Sequence, residues 1–258
     1  SVRVVTQALV APRTAILSGL GGRGVAEPGH ESVSIAIPSG TVEPIIRVQD
    51  GTFLVECSSS NQIVDVIIQQ NSQTENLNSF IMKNVRMLAL EENAKIEMKT
   101  SFALQERNVR TLALAASSII TGKNLNIGLV NLTLDTGAVI HTDYRGYSSD
   151  TEPGYGCNYN GESHIYRGKK GGAHGGKGGW GNNANPCPAS QETYGSSEAP
   201  ISPGGGAYGG ASGGGVIHLN ISDTLTVASS ARISAVGKEG SNNNAGAAGG
   251  SIWIRTNI

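Results

Sequence analysis

The sequence predicts an all-β protein, a right-handed parallel β-helix (solenoid) carrying a long Gly-rich loop insertion. Three observations lead there. Four segments return apolar residues at the same offsets, and within each segment apolar and polar residues alternate with the period of two that marks a strand. In addition, 21 of the 36 glycines fall between Gly146 and Gly215, a stretch too poor in side chains to build a hydrophobic core of its own.

The four segments are Met87 to Lys99, Thr111 to Lys123, Asn131 to Asp143 and Thr224 to Val236. Laid on one another, Leu88, Leu112, Leu132 and Leu225 coincide, and Leu90, Leu114, Leu134 and Val227 follow two places on. Ala94, Ser118, Ala138 and Ala231 come next, with Ile96, Ile120, Ile140 and Ile233 two beyond. A fifth copy is expected from Ile46, with Val48, Thr52 and Leu54 at the same offsets. Each copy is two short strands around a turn of three small or polar residues: Glu-Glu-Asn, Ala-Ala-Ser, Asp-Thr-Gly, Ala-Ser-Ser and Gln-Asp-Gly. Leu88, Leu112 and Leu132 lie 24 and 20 residues apart, which suits one coil of a solenoid whose strands stack at the ~4.8 Å sheet spacing. An antiparallel sandwich of hairpins would explain the alternation but not the recurring offsets.

In chain order, residues 1–143 are expected to form coils. Val2 to Val10 reads as an edge strand or the end of a preceding coil, followed by a glycine turn. Strands follow in Ser32 to Val66, broken by Pro38, Pro44 and Gly51, and Ile63 to Ile68 forms one more. The polar run Gln69 to Asn78 is expected as a turn or lateral loop. Asn84 to Arg110 has the composition of a helix, yet its leucines recur every second residue, so it is assigned to strands. Residues 144–215 form the Gly-rich insertion, and residues 216–258 resume the coils. Glycine clusters enter both apolar strands of that last part, where a close approach of backbones would require the absence of side chains.

The insertion also holds Cys157, Trp180, Cys187, Tyr194, Pro200, Pro203 and Tyr208, residues of a fixed loop more than of a linker. A Cys157 to Cys187 bridge would close a loop of about 30 residues, worth roughly 3–4 kcal/mol in the chain-entropy model, and points to an oxidising compartment. Cys57, on an alternating strand, reads as a small buried hydrophobe. The sequons at Asn131 and Asn220 fit secretion. No charged segment followed by an apolar run opens the chain at Ser1, and a processed piece of a longer secreted protein would read the same way.

A formal charge of −1 argues against nucleic acid as a partner, and no apolar run of about 18 residues signals a membrane span. His174, Lys177 and Trp180 are candidate sugar-binding residues: an indole stacks on a pyranose face while polar groups take hydroxyls. The competing role for them is structural, with His174 bonding backbone and Trp180 packing the glycines against the coils. His141 and Asp143 share a strand face but offer only two metal ligands. No metal site or cofactor is expected; a structural calcium on loop carboxylates such as Asp150, Glu152 and Glu162 is the single exception considered. No Asp-Asp pair occurs and the acidic residues are scattered along the chain, so no enzyme and no catalytic residue is assigned.

At Gly171 to Gly179, Tyr194 to Ser196, Pro203 to Leu219, Leu225 to Gly237 and Ala248 to Ile254, the chain resembles Gly-rich repeat modules of large secreted or cell-surface proteins of animals, plants and protists. The resemblance covers about Leu132 to Ile258. It implies an extracellular structural or adhesive β-helical module, a subunit or fragment of a fibrous surface assembly that associates with itself or with neighbouring domains. A carbohydrate-binding module, or a polysaccharide lyase or glycosidase of the β-helix type, are the alternatives.

Overall fold

The computed structural model describes residues 64–148 apart from 69, 72, 78, 84 and 107, then 154, 171–176, 193–207, 210–240 and 245–256, and the backbone alone of the strands before residue 57. Among these residues the chain is all-β, with no helix. The strands before residue 57 are β1 (Val2–Thr6), β2 (Pro12–Ser18), β3 (Ser32–Pro38), β4 (Ile45–Gln49) and β5 (Thr52–Glu56). Then come β6 (Val64–Ile68), β7 (Gln73–Leu77), β8 (Ser79–Lys83), β9 (Val85–Leu90), β10 (Lys95–Met98), β11 (Ser101–Leu104) and β12 (Val109–Leu114). The last are β13 (Ile119–Thr121), β14 (Asn124–Leu134), β15 (Val139–His141), β16 (Val216–Val227), β17 (Arg232–Ser234) and β18 (Ser251–Thr256).

Parallel pairing arranges the later strands in three columns. One runs β6, β9, β12, the second half of β14 and the second half of β16. Another runs β7, β10, β13, β15 and β17. The third takes β11, the first half of β14, the first half of β16, and β18. Register follows the sequence repeat residue for residue: Leu88, Leu112, Leu132 and Leu225 are successive partners, as are Leu90, Leu114, Leu134 and Val227. Ile96, Ile120, Ile140 and Ile233 stack likewise. Because a parallel ladder sets each inward residue on its counterpart, aliphatic side chains of all three columns merge into one core. Ser118, in the alanine row, is fully buried and donates its hydroxyl to the Ala115 carbonyl at 2.7 Å, so no polar group is left unpaired there.

Corners between the first two columns share one geometry. Ala94, Ser118, Ala138 and Ala231 donate back to Glu91, Asp135's counterpart Ala115, Asp135 itself and Ala228, closing each turn. In three of these four corners the third residue is left-handed, at φ 58° for Asn93 and Ser117 and 72° for Gly137. Asn71 adopts the same 58°, and Asn93 donates its side-chain amide to Asn71 Oδ1 at 3.2 Å. Asparagine and glycine tolerate this conformation; serine bears a steric cost. Two charged clusters lie outside the core: Arg86 grips the buried Asp65 through both carboxylate oxygens, and Glu97 binds Lys95 and Arg145.

Three expectations are corrected. The copy placed at Ile46 is an antiparallel pair, β4 with β5, in which Ile46 faces Val55, Val48 faces Phe53 and Gln49 faces Thr52. The additional copy is instead β6, whose Val66 and Ile68 pair with Leu88 and Leu90. Gln73–Leu77, within the run expected as a loop, is a strand because β10 provides a ladder for it. Finally, β1 is no edge strand: it lies between β3, parallel, and β6, antiparallel.

Leu112 is fully buried between register partners on both sides, so Leu112→Ala is expected to cost about 2–5 kcal/mol in chemical unfolding followed by circular dichroism. An unchanged transition would mean that the leucine row is not a core. Ser117→Asn, which suits the left-handed corner, should raise stability by up to about 1 kcal/mol in the same measurement.

Candidate functional site

Beside the strand columns, glycine segments pack on one another through their backbones. Gly204 donates to Gly214 and accepts from Tyr147; Gly205 donates to Ala173 and accepts from Ala248. Neighbouring residues of one segment thus reach four other segments, whereas a sheet strand bonds only to its left and right. Gly172, Gly204, Gly205, Gly213 and Gly214 are buried, and a methyl group on any of them would overlap a backbone atom of a neighbour. Buried peptide groups must find partners, and without side chains those partners can approach from several directions. In its described parts the glycine stretch therefore forms a layer of its own, continuous with residues 235–238 and 246–250.

This layer holds a cleft of about 460 Å³ formed by residues 174–175, 193–197, 200 and 250–252. His174 forms one wall. Its Nδ1 lies 3.1 Å from the Gly249 carbonyl, and its ring packs at 5.0 Å on that of Tyr194. The Tyr194 hydroxyl donates to Pro203 O at 2.5 Å, and burial, aided by Tyr147, pushes its pKa up. Burial lowers the pKa of His174, opposed by the Gly249 carbonyl. The ring is therefore neutral near pH 7, with its proton on Nδ1 and Nε2 left as an acceptor. Elsewhere in the lining Ser251 donates to Ser202 O at 2.7 Å, and Ser196 Oγ accepts from the amides of Glu198 and Ala199.

Of the expected sugar-binding residues, His174 lines the cleft, while Lys177 and Trp180 lie outside the described residues, as do Cys57, Cys157, Cys187, Asp150, Glu152 and Glu162. Asn220 is exposed on β16; Asn131 is half-buried on β14 between Thr111 and Thr224. Asp143 is engaged by the Ser234 hydroxyl and the Val236 amide, with His141 Nδ1 at 3.6 Å. Burial lowers the His141 pKa more than Asp143 raises it, so the pair is not an ion pair at neutral pH. Among the described residues no three His, Cys, Asp or Glu side chains cluster to hold a metal ion, and no helix is long and apolar enough to cross a membrane.

Sequence reasoning did not single out the contribution of Tyr194, Ser251 and Ile252 to the His174 wall, nor an aromatic pair outside it. His218 and Trp253, register partners on β16 and β18, stack at 4.5 Å with 13° between planes, and the Arg255 guanidinium lies 5.0 Å from the indole. No local signal links residue 174 to residues 249–252, which meet it only through the fold. No family model, curated protein or solved structure matches the chain.

Gly250→Ala should destabilise the protein by about 3 kcal/mol or more, because the added methyl would overlap the Gly215 carbonyl. Gly176→Ala, with open space around the same position, serves as the control and should leave the unfolding transition in place. A second expectation concerns pH. Burial lowers the pKa of His141, His174 and His218 in the folded state, so the unfolded chain binds more protons once pH falls below about 6.5. Stability is retained above that value and lost as pH falls from it toward the folded pKa values. The thermal midpoint should drop between about pH 7.5 and about pH 5.5, and His141→Gln should flatten the profile; an unchanged slope in that variant would exonerate His141.

Proposed function

We propose that the chain is an extracellular structural or adhesive module in which the three strand columns are the faces of a right-handed parallel β-helix, and that copies associate end to end into a fibrous assembly. One observation carries the assembly. Where the columns reach β16 and β18, their inward rows finish on partly exposed apolar residues: Val227 is 44 % exposed against 0 % for its partner Leu134, and Ile252 and Ile254 are 40 % and 42 % exposed against 0 % for their partners Ile217 and Leu219. Strand β18 pairs with β16 alone among the described residues, so apolar side chains and open backbone groups occur on one edge, the combination that invites another strand.

The extracellular placement is supported by the resemblance to Gly-rich surface modules, by the sequons and by the cysteines bracketing the glycine stretch. The module has no catalytic role in this reading. Sustained product release from uronic-acid polymers would overturn that part.

Assembly is tested by negative-stain microscopy and sedimentation, with and without reducing agent. Rods or filaments of regular repeat are expected, and Ile254→Lys should return them to single particles. Monomers at every concentration, with the same sedimentation for the variant, would overturn self-association and leave a neighbouring domain as the partner of that edge.

A further inference from the structure

The cleft at His174 carries polar chemistry that end-to-end assembly does not use, and of the edge residues named above it shares Ile252 alone. We infer that it binds a neutral, polyhydroxylated ring, one or two sugar units in size. Four features of the cleft lead there, and none depends on the edge at β18 being occupied.

Charge excludes one class of ligand. Among the described residues the cleft is lined by no Lys, Arg, Asp or Glu side chain, and its histidine is held neutral by burial. A phosphate, carboxylate or ammonium group entering it would lose water without meeting an opposite charge among the described lining residues.

Its polar atoms exclude a purely apolar ligand. The Tyr194 and Ser251 hydroxyl protons are committed to the carbonyls of Pro203 and Ser202, and the Nδ1 proton of His174 to that of Gly249. What remains is complementary: His174 Nε2 accepts, the Ser196 hydroxyl, already accepting two amides, has its proton to donate, and the exposed Thr193 and Ser197 hydroxyls do either. A ligand hydroxyl is both donor and acceptor and matches such a mixed set; a hydrocarbon would leave it unpaired.

Pro200 and Ile252 supply apolar surface between these groups, as the C–H face of a pyranose requires. The volume of about 460 Å³ lies within the range of small-molecule sites. Finally, the three wall segments are already cross-bonded, His174 O accepting from the Tyr194 amide at 3.0 Å and Ser251 reaching Ser202. Little ordering remains to be done on binding, and the affinity is not spent on it.

The test uses the full chain and a panel of neutral mono- and disaccharides in saturation-transfer NMR, with a glucuronic acid disaccharide and a Gly/Ser-rich peptide beside them, and calorimetric titration of any hit. At least one neutral sugar is expected to bind, and Ser197→Trp, which fills the cleft from its exposed rim, should weaken it about tenfold or more. His174→Phe, which removes the acceptor and keeps a ring, should do the same; the thermal midpoint of each variant shows that it is folded. Ile254→Lys should bind the sugar as the parent chain does, which separates a failure of this site from a failure of assembly. Silence across the neutral panel, unchanged affinity in Ser197→Trp, or preference for the acidic sugar or the peptide would each overturn the inference.

Discussion

Everything in this molecule depends on the in-register parallel ladder. A parallel pair aligns each residue with its counterpart one strand on, so a side chain that fits the core once must fit it again at the next level. The rows of leucine at 88, 112 and 132 and of isoleucine at 96, 120 and 140 are the outcome of that constraint. The corners obey it too. A left-handed residue recurs from Asn71 to Gly137, and the closing bond from the residue after the turn recurs from Ala94 to Ala231, so each following strand re-enters in register with its inward side chains on the same face.

The glycine layer solves a different problem with the same currency of backbone bonds. Between β15 and β16 the chain leaves the ladder after His141 and returns at Val216, and it must return in register. Gly215 secures that return: its amide bonds to Thr142 and its carbonyl takes the Ser251 amide, so departure and re-entry points of the chain are tied to one residue. Lacking aliphatic side chains, the layer gains its cohesion from peptide groups that satisfy one another across several segments. That arrangement tolerates no Cβ at its crowded positions, which explains a composition that otherwise resembles a linker.

Ladder and layer were unequally legible in the sequence. Identical offsets at Leu88, Leu112, Leu132 and Leu225 disclosed the register because repetition along a column is written into the residue types. The copy at β6 was hidden because Thr74 stands where the other copies carry isoleucine, and the antiparallel pair at Ile46 imitated a coil because alternation is common to both. Polar Gln73–Leu77 is a strand by virtue of its neighbour, not of its composition. In the candidate site, His174 was visible as the one imidazole in a glycine run, whereas its partners Tyr194, Gly249 and Ile252 were not. Glycine segments carry no pattern of side chains from which their pairing can be read, so which segment meets which is decided by backbone bonds that leave no trace in residue type.

Strand β18 joins these two parts of the molecule. Its first residues, Ser251 and Ile252, belong to the cleft wall, and its alternate residues, Ile252 and Ile254, end the inward rows of the core. It is held from one side by the ladder with β16 and, at its start, by the Ser251 hydroxyl on Ser202 in the glycine layer. Gly250 makes both attachments compatible: its amide donates to Ala235 at 2.8 Å, and its lack of a side chain lets the strand begin against Gly214 and Gly215. The layer thereby sets where the last strand starts, and the ladder sets where it runs. A site built at that junction inherits its geometry from both, which is why residues 75 apart in the chain, His174 and Gly249, face each other across a hydrogen bond.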